Sequence, residues 1–195
     1  MASFELAYGR TVLTNEGGYS CRKNDPGGET YRGISRRHHP RWTGWPLVDD
    51  RREEPDFPFN LEGFGFLRDM VKLFYLDGFW YSIAGDDIAG QGIAEEVFDA
   101  AVNTGVRTAV RSLQEALNFL NGDGASGEDL VEDGRIGPKT LRALDERMKA
   151  GDDKYVLKIL LLLRGNRYLE LMRKSRTQEV FARGWLKRID FARAT

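Results

Sequence analysis

The stretch "TNEGGYSCRKNDPGGETYRGIS", residues 14–35, decides the fold prediction because it is rich in glycine and carboxylates and poor in core-forming residues. Before it, residues 3–16 have apolar side chains at helical spacing, and the pair Gly17-Gly18 ends that pattern. The run "DPGG", residues 25–28, is a turn signal, since proline presets φ and glycine accepts positive φ. We therefore expect a helix followed by a small β-hairpin.

Outward from this stretch, apolar residues recur at the 3.6-residue period of helices. This predicts a mainly α fold with one small β element near the N-terminus. Asn60 and Thr108 are predicted N-caps, and residues 40–60, with four of the six prolines, are predicted to be irregular. The other predicted helices cover residues 61–75, 92–103, 108–120, 138–150, 153–174 and 179–193.

Composition excludes some classes of function. Lys plus Arg is 29 against 30 for Asp plus Glu, so the net charge of −1 gives no general attraction to nucleic acid or an anionic membrane. The apolar run "ILLLLR", residues 159–164, is too short to span a bilayer. The N-terminus does not resemble a signal peptide, and Cys21 has no second cysteine to pair with. We expect a monomer with no nucleic-acid partner and no stable membrane insertion.

Glu16 is the first candidate for chemistry. A solvated glutamate is the ordinary interpretation, but a carboxylate at the C-terminal end of a helix meets partial negative charge, which raises its pKa. A general acid that works near neutral pH needs such a raised pKa.

Asp25 and Thr30 are the next candidates. Asp before Pro-Gly is often only a turn residue, yet a hairpin that folds back beside a helix end places two carboxylates across a cleft. Glycoside hydrolysis needs one acid and a second group that handles water or positive charge, and Thr30 on the returning strand would hold the water. Tyr19 and Tyr31 flank this cleft and are candidates for stacking on sugar rings.

The motif "EGGY…DPGGET…GI" closely resembles the N-terminal signature of glycoside hydrolase family 108, lysozyme-like peptidoglycan hydrolases of phages and bacteria. Further motifs, "FDAAVNTG" at residues 98–105, "LQEALN" at 113–118, "DGRIGPKTLRAL" at 133–144 and "GWLKR" at 184–188, are similar to the family's predicted peptidoglycan-binding segment. The resemblance spans nearly the whole chain.

The resemblance implies a single lysozyme-like helical domain over residues 1–195, with a catalytic segment at 1–96 and a peptidoglycan-binding segment at 97–195. It implies an N-acetylmuramidase that cuts between N-acetylmuramic acid and N-acetylglucosamine, with Glu16 as acid and no cofactor. Phage-type lysozymes have a similar Glu, Asp and Thr set, but their threonine lies one position further from the aspartate than Thr30 does. The inverting or retaining outcome stays open.

The resemblance also bears on location. An enzyme of this kind, made in the cytoplasm without a signal peptide, would act at the bacterial cell wall after release through a holin-type partner. Phage lysis enzyme, virion component and bacterial autolysin all stay open. So do two other functions: a non-catalytic peptidoglycan-binding module, and a chitinase- or chitosanase-like hydrolase on the same fold.

The remaining candidates each have two interpretations. Asn103 would cap its helix or contact substrate, and Asp99 would be a buried hydrogen-bonding carboxylate or a second acid. Trp185 fits core packing better than stacking on a sugar. The basic clusters "RRHH" at residues 36–39 and "RR" at 51–52 fit solvated surfaces. We predict no metal site, because the acidic loop 121–137 lacks the ligand spacing of a calcium loop.

Overall fold

The structure is a computed structural model that describes residues 1–14, 17–21, 28–122, 124 and 127–194. Over these residues it is mainly α-helical with one small sheet, which confirms the predicted fold class. The α-helices are α1 (Phe4–Tyr8), α2 (Trp45–Asp50), α3 (Gly65–Tyr75), α4 (Gln91–Thr104), α5 (Val106–Phe119), α6 (Pro138–Lys149), α7 (Asp153–Lys174) and α8 (Ala182–Leu186).

Shorter helical turns of other types join these helices. Two π-helical turns, Gly9–Leu13 and Leu76–Trp80, continue α1 and α3 directly. Turns of 3-10 helix lie at Phe59–Leu61, Tyr81–Ile83, Gly85–Asp87, Arg176–Phe181 and Phe191–Ala194. In the described part of the chain, no helix is long and apolar enough to cross a membrane.

The predicted hairpin is present as part of a three-stranded antiparallel sheet, in the order β1 (Tyr19–Ser20), β2 (Thr30–Tyr31) and β3 (Ile34–Ser35). Tyr19 lies opposite Tyr31, and Ser20 opposite Thr30. Between β2 and β3, Arg32 and Gly33 both have positive φ (43° and 79°), as a primed two-residue hairpin turn requires.

The chain divides into two compact units, Phe4–Gly78 and Met1–Ser3 with Phe79–Thr195. The segments predicted from the sequence, 1–96 and 97–195, divide the chain at a later position.

The unit Phe4–Gly78 builds its core from aromatic residues of the sheet and of α1 to α3. The rings of Tyr8 and Tyr75 lie 6.0 Å apart, and both residues are buried. The Tyr75 hydroxyl donates to the carbonyl of Arg32 at 2.8 Å, which fixes the β2–β3 turn on α3. The core therefore holds the sheet from the side of its tight turn.

The second unit is organised around α4, α5 and α7, which pack on one another. Trp80 is fully buried, meets Phe98 edge-on at 5.7 Å, and donates its indole N–H to Asp86 at 2.8 Å. Its ring leaves no room for a side chain at Gly85, where an added Cβ would lie 2.3 Å from it. The positive φ of Gly105 (90°) makes the sharp connection from α4 to α5.

A buried cluster of charges joins α7 to α4. Arg164 donates to Glu96 at 2.8 Å and also to Asp99. The C-terminal segment adds Arg188, which lies 2.5 Å from Asp99, and Arg193, which lies 3.0 Å from Glu96. Burial opposes the charge on Arg164, but the two carboxylates outweigh that effect and raise its pKa.

Four predictions of local structure were wrong. The predicted helix 179–193 is instead the end of a 3-10 turn, the five-residue α8 and a second 3-10 turn. The predicted helix 61–75 begins at Gly65, and the Asn60 amide instead donates to the Arg51 carbonyl at 3.2 Å and to Glu54 at 2.8 Å. The next error is Thr108, which lies inside α5 rather than at its cap, because α5 begins directly after Gly105.

Residues 40–60, predicted to be irregular, contain α2. Pro46 lies in the first turn of this helix, where the missing N–H costs no hydrogen bond. Trp45 and Val48 are buried, so two well-placed apolar side chains stabilise a helix in a proline-rich segment.

The adjacent leucines of α7 provide a test of this packing. Leu161 is fully buried whereas Leu162 is 58% exposed. We expect Leu161→Ala to lower the free energy of unfolding by about 2–5 kcal/mol, because it leaves a cavity in the core. The matched control, Leu162→Ala, should change it by about 0.5 kcal/mol or less. Urea denaturation measures both, and equal losses would contradict the assigned face of α7.

Candidate active site

The two predicted catalytic carboxylates, Glu16 and Asp25, lie outside the described residues. Their roles therefore stay predictions. The structure describes the chain on either side of them: α1 and its continuation before Glu16, and strands β1 and β2 on the two sides of Asp25. The antiparallel pairing of β1 with β2 brings Tyr19 and Thr30 into one small sheet.

Thr30 lies on β2, half-buried, opposite Ser20. Its hydroxyl donates to the carbonyl of Gly28 at 3.3 Å. A hydroxyl that donates one hydrogen bond still has lone pairs that accept others. The side chain can therefore accept a hydrogen bond from a water molecule while its own proton stays engaged with the backbone.

Tyr19 is held by charged neighbours. Its hydroxyl donates to Glu29 at 3.1 Å and accepts from Arg52 at 2.9 Å. Burial, together with Glu29, raises the pKa of Tyr19 to about 12. The ring packs edge-on against Phe57 at 4.7 Å and stays half-exposed. Tyr19 is thus a fixed aromatic surface beside the sheet.

Tyr31 differs from the prediction that it stacks on sugar. Its side chain is fully buried, its hydroxyl donates to the carbonyl of Leu61 at 3.4 Å, and its ring is stacked on Trp42 at 6.3 Å. A ring without an exposed face cannot receive a sugar, so we assign Tyr31 to the core. The alternation along β2 explains this, because neighbouring strand residues face opposite sides.

An ion-pair network that the sequence did not predict anchors the start of β2. Glu29, whose side chain is 15% exposed, lies 2.8 Å from Arg36 Nε and 2.5 Å from Arg52 Nη2. Asp49 on α2 joins the same two arginines at 2.6 Å and 3.1 Å. Hydrogen bonds from Arg36 lower the pKa of Asp49 despite the opposing effect of burial. The network holds β2 against α2, and the role of Glu29 in it is structural.

Next to the continuation of α1 lies a pocket of about 350 Å³. Among the described residues, its charged lining consists of the cations Arg32, Arg68 and Lys72 and one carboxylate, Asp69. Arg32 is paired with Glu62 at 3.0 Å and Lys72 with Glu5 at 2.5 Å. For the Arg68 guanidinium, the described part of the chain provides no ion pair. This pocket, the cationic pocket, is suited to a carboxylate.

Asn103 and Asp99 belong to the second unit, on α4. The side-chain oxygen of Asn103 accepts from the Tyr168 hydroxyl at 3.2 Å, and the residue is exposed. Asp99 is buried and accepts from Arg164 and Arg188, so its interpretation as a hydrogen-bonding carboxylate is confirmed. Trp185 stacks on Tyr168 at 4.9 Å, as expected of a packing residue.

Comparison with known proteins adds two family matches. The model described as "Glycosyl hydrolase 108" matches residues 10–105, and the model described as "Predicted Peptidoglycan domain" matches residues 108–190. No curated protein sequence matches the chain.

The chain is also similar to a solved structure titled "Structure of Brucella abortus SagA". The similarity has a TM-score of 0.63 and 24% sequence identity, and it covers 98% of this chain and 92% of that chain. At this identity it shows a shared fold.

The Glu29 network yields a test of the site's electrostatics. In Glu29→Gln the phenol of Tyr19 loses the nearby negative charge that disfavours its ionisation, while Arg52 remains. We therefore expect the pKa of Tyr19 to fall below about 12. The measurement is an NMR pH titration of 13C-labelled tyrosine, with Tyr19→Phe to assign the signal. An unchanged pKa would show that Glu29 does not act on this hydroxyl.

Proposed function

From the membership of residues 10–105 in the glycosyl hydrolase 108 family and of residues 108–190 in the predicted peptidoglycan domain family, we propose that the protein is an N-acetylmuramidase. In general terms it is a glycoside hydrolase that acts on peptidoglycan. The finer proposal is cleavage of the bond between N-acetylmuramic acid and N-acetylglucosamine. The observation that carries it is that Glu16, Asp25 and Thr30 all fall within the hydrolase family match.

In the proposed reaction Glu16 protonates the glycosidic oxygen as the bond to the anomeric carbon breaks. Water supplies the new oxygen at that carbon, and its proton passes to a base. Asp25 supports the water or the developing positive charge. Thr30 accepts a hydrogen bond from the water, since its own proton is donated to Gly28. The anomer first released, observed by NMR, distinguishes inversion from retention.

The cationic pocket supports muramic acid over chitin as the source of substrate. N-acetylmuramic acid has a lactyl carboxylate or its attached peptide, whereas chitin is neutral. Among the described lining residues, Arg68 is the cation that favours an anionic glycan, because Arg32 and Lys72 are already in ion pairs. Tyr19, half-exposed beside the sheet, is the aromatic surface that we propose for sugar stacking. For Asn103 we propose a contact with the glycan through its amide.

Action at the wall sets the proposed location. An enzyme that cuts peptidoglycan must reach the periplasm or the outer surface of the wall. As a phage lysis enzyme, it would act after a holin-type partner opens the membrane. The proposed active form is a monomer.

Replacement of the proposed acid gives the main test. We expect Glu16→Gln to lower the rate of turbidity clearing of purified peptidoglycan by about 10²-fold or more, because the neutral amide cannot protonate the glycosidic oxygen. The matched control is Glu53→Gln, an exposed glutamate of the same family segment. Mass spectrometry of the products identifies the bond. Wild-type protein that binds the wall without cleaving it would instead support a binding module, and cleavage of chitin in preference would support the chitinase alternative.

Substitution of Asp25 distinguishes a role in catalysis from a role in forming the turn. If Asp25 supports the reaction, Asp25→Ala should lower kcat while the thermal unfolding transition stays in place. Activity assays and circular dichroism on the same preparation measure both quantities. A lost or strongly lowered transition would assign Asp25 to the Asp-Pro-Gly turn instead.

A further inference from the structure

A cavity of about 440 Å³ lies in the second unit, lined by residues of α4, α5 and α7 and by Glu132 of the loop between α5 and α6. Its volume falls in the range of small-ligand sites. Small side chains from α4 and α5 leave this space open: Ala100, Thr104, Thr108, Ala109 and Ser112. Most of its lining falls within the predicted peptidoglycan domain, but the family match assigns no residues to binding.

Charge of both signs distinguishes this cavity. Glu96 and Arg164 are part of its lining but bind each other. The other charged lining residues are three arginines and three glutamates: Arg107, Arg111, Arg167, Glu115, Glu132 and Glu170. No aromatic residue is among the described residues that line it. We call it the mixed-charge cavity.

Several of these charges already have partners. Arg111 lies 3.8 Å from Glu132, which also accepts from Asn118 at 3.3 Å. Glu170 accepts from Asn166 at 2.8 Å. These contacts use part of the hydrogen-bonding capacity of the rim.

Glu115 and Arg167 are different. Within residues 1–14, 17–21, 28–122, 124 and 127–194, neither side chain forms an ion pair or a hydrogen bond. Glu115 is half-buried on α5, and burial, then Glu132, raises its pKa. Arg167 lies on α7 and lines the same cavity. The cavity thus presents one unused carboxylate and one unused guanidinium, which suits a ligand with both an ammonium group and a carboxylate.

We propose that the mixed-charge cavity binds the stem peptide of peptidoglycan, with Arg167 on a peptide carboxylate and Glu115 on an ammonium group. The inference rests on the proposed function for its substrate class. Arginine recognises carboxylates through paired N–H donors. The glycan strand has carboxylates but no ammonium group, so it would leave Glu115 without a partner. The peptide is the part of the wall that has charges of both signs.

The test is calorimetric titration of the full chain with a synthetic stem tetrapeptide that contains meso-diaminopimelate. We expect Glu115→Gln and Arg167→Gln each to weaken binding by about tenfold or more, since each removes a hydrogen bond to a charged group. The matched controls are Glu128→Gln and Arg142→Gln, which change the same charges at exposed positions outside the cavity. Unchanged thermal transitions verify that the variants fold.

Modified peptides assign the two contacts. Acetylation of the peptide's ammonium groups should weaken binding to wild type, and Glu115→Gln should then have no further effect. Amidation of the peptide's carboxylates should also weaken binding to wild type, and Arg167→Gln should then have no further effect. Equal binding by wild type and both cavity variants, or displacement of the peptide by peptide-free glycan strands, would overturn the proposal.

Hydrolysis of peptide-free glycan strands by the same preparation separates the two proposals. Glycan cleavage without peptide binding would reject the stem-peptide site and leave the muramidase intact. Peptide binding without glycan cleavage would reject the muramidase and support the site.

Discussion

The second unit depends on the buried arginine of α7. Arg164 lies between Glu96 and Asp99 of α4, and Arg188 and Arg193 complete the cluster from the C-terminal segment. Charges removed from water are tolerated only when each is paired and hydrogen-bonded. The cluster therefore fixes α4 against α7 in a single register, because any shift would leave a buried carboxylate unpaired. The same helices line the mixed-charge cavity, so their register determines its shape.

In the unit Phe4–Gly78, interactions between side chains also hold the elements together, here at the surface. A sheet whose strands contain two residues each has few backbone hydrogen bonds. The ion pairs of the Glu29 network and the hydrogen bond from Tyr75 to the Arg32 carbonyl add the stabilisation that so few backbone hydrogen bonds do not provide. Side chains from α2 and α3 thus set the position of the strand that presents Thr30.

The sequence predicted the parts that follow from local physics. Helical spacing identified α4, α6 and α7 closely, and Pro138 marked the start of α6. The hairpin followed from glycine and proline. Long-range pairing was not readable: nothing in the clusters at 36–39 and 51–52 indicates that Arg36 and Arg52 meet at Glu29. Tyr31 likewise looked like a cleft residue until the sheet register placed it inside.

The candidate site was predicted from one sequence motif, and its chemistry still rests on Glu16 and Asp25. The small size of the sheet affects the order in which this part of the chain folds. Two ladder pairs between β1 and β2 do not offset the entropy of closing the segment that joins them. The sheet gains its order from contacts with residues outside it. Glu29 pairs with Arg36 and Arg52, and Tyr31 packs on Trp42 and donates to the Leu61 carbonyl. We therefore expect the sheet that presents Thr30 to be among the last parts of the unit Phe4–Gly78 to fold, after its helices are in place.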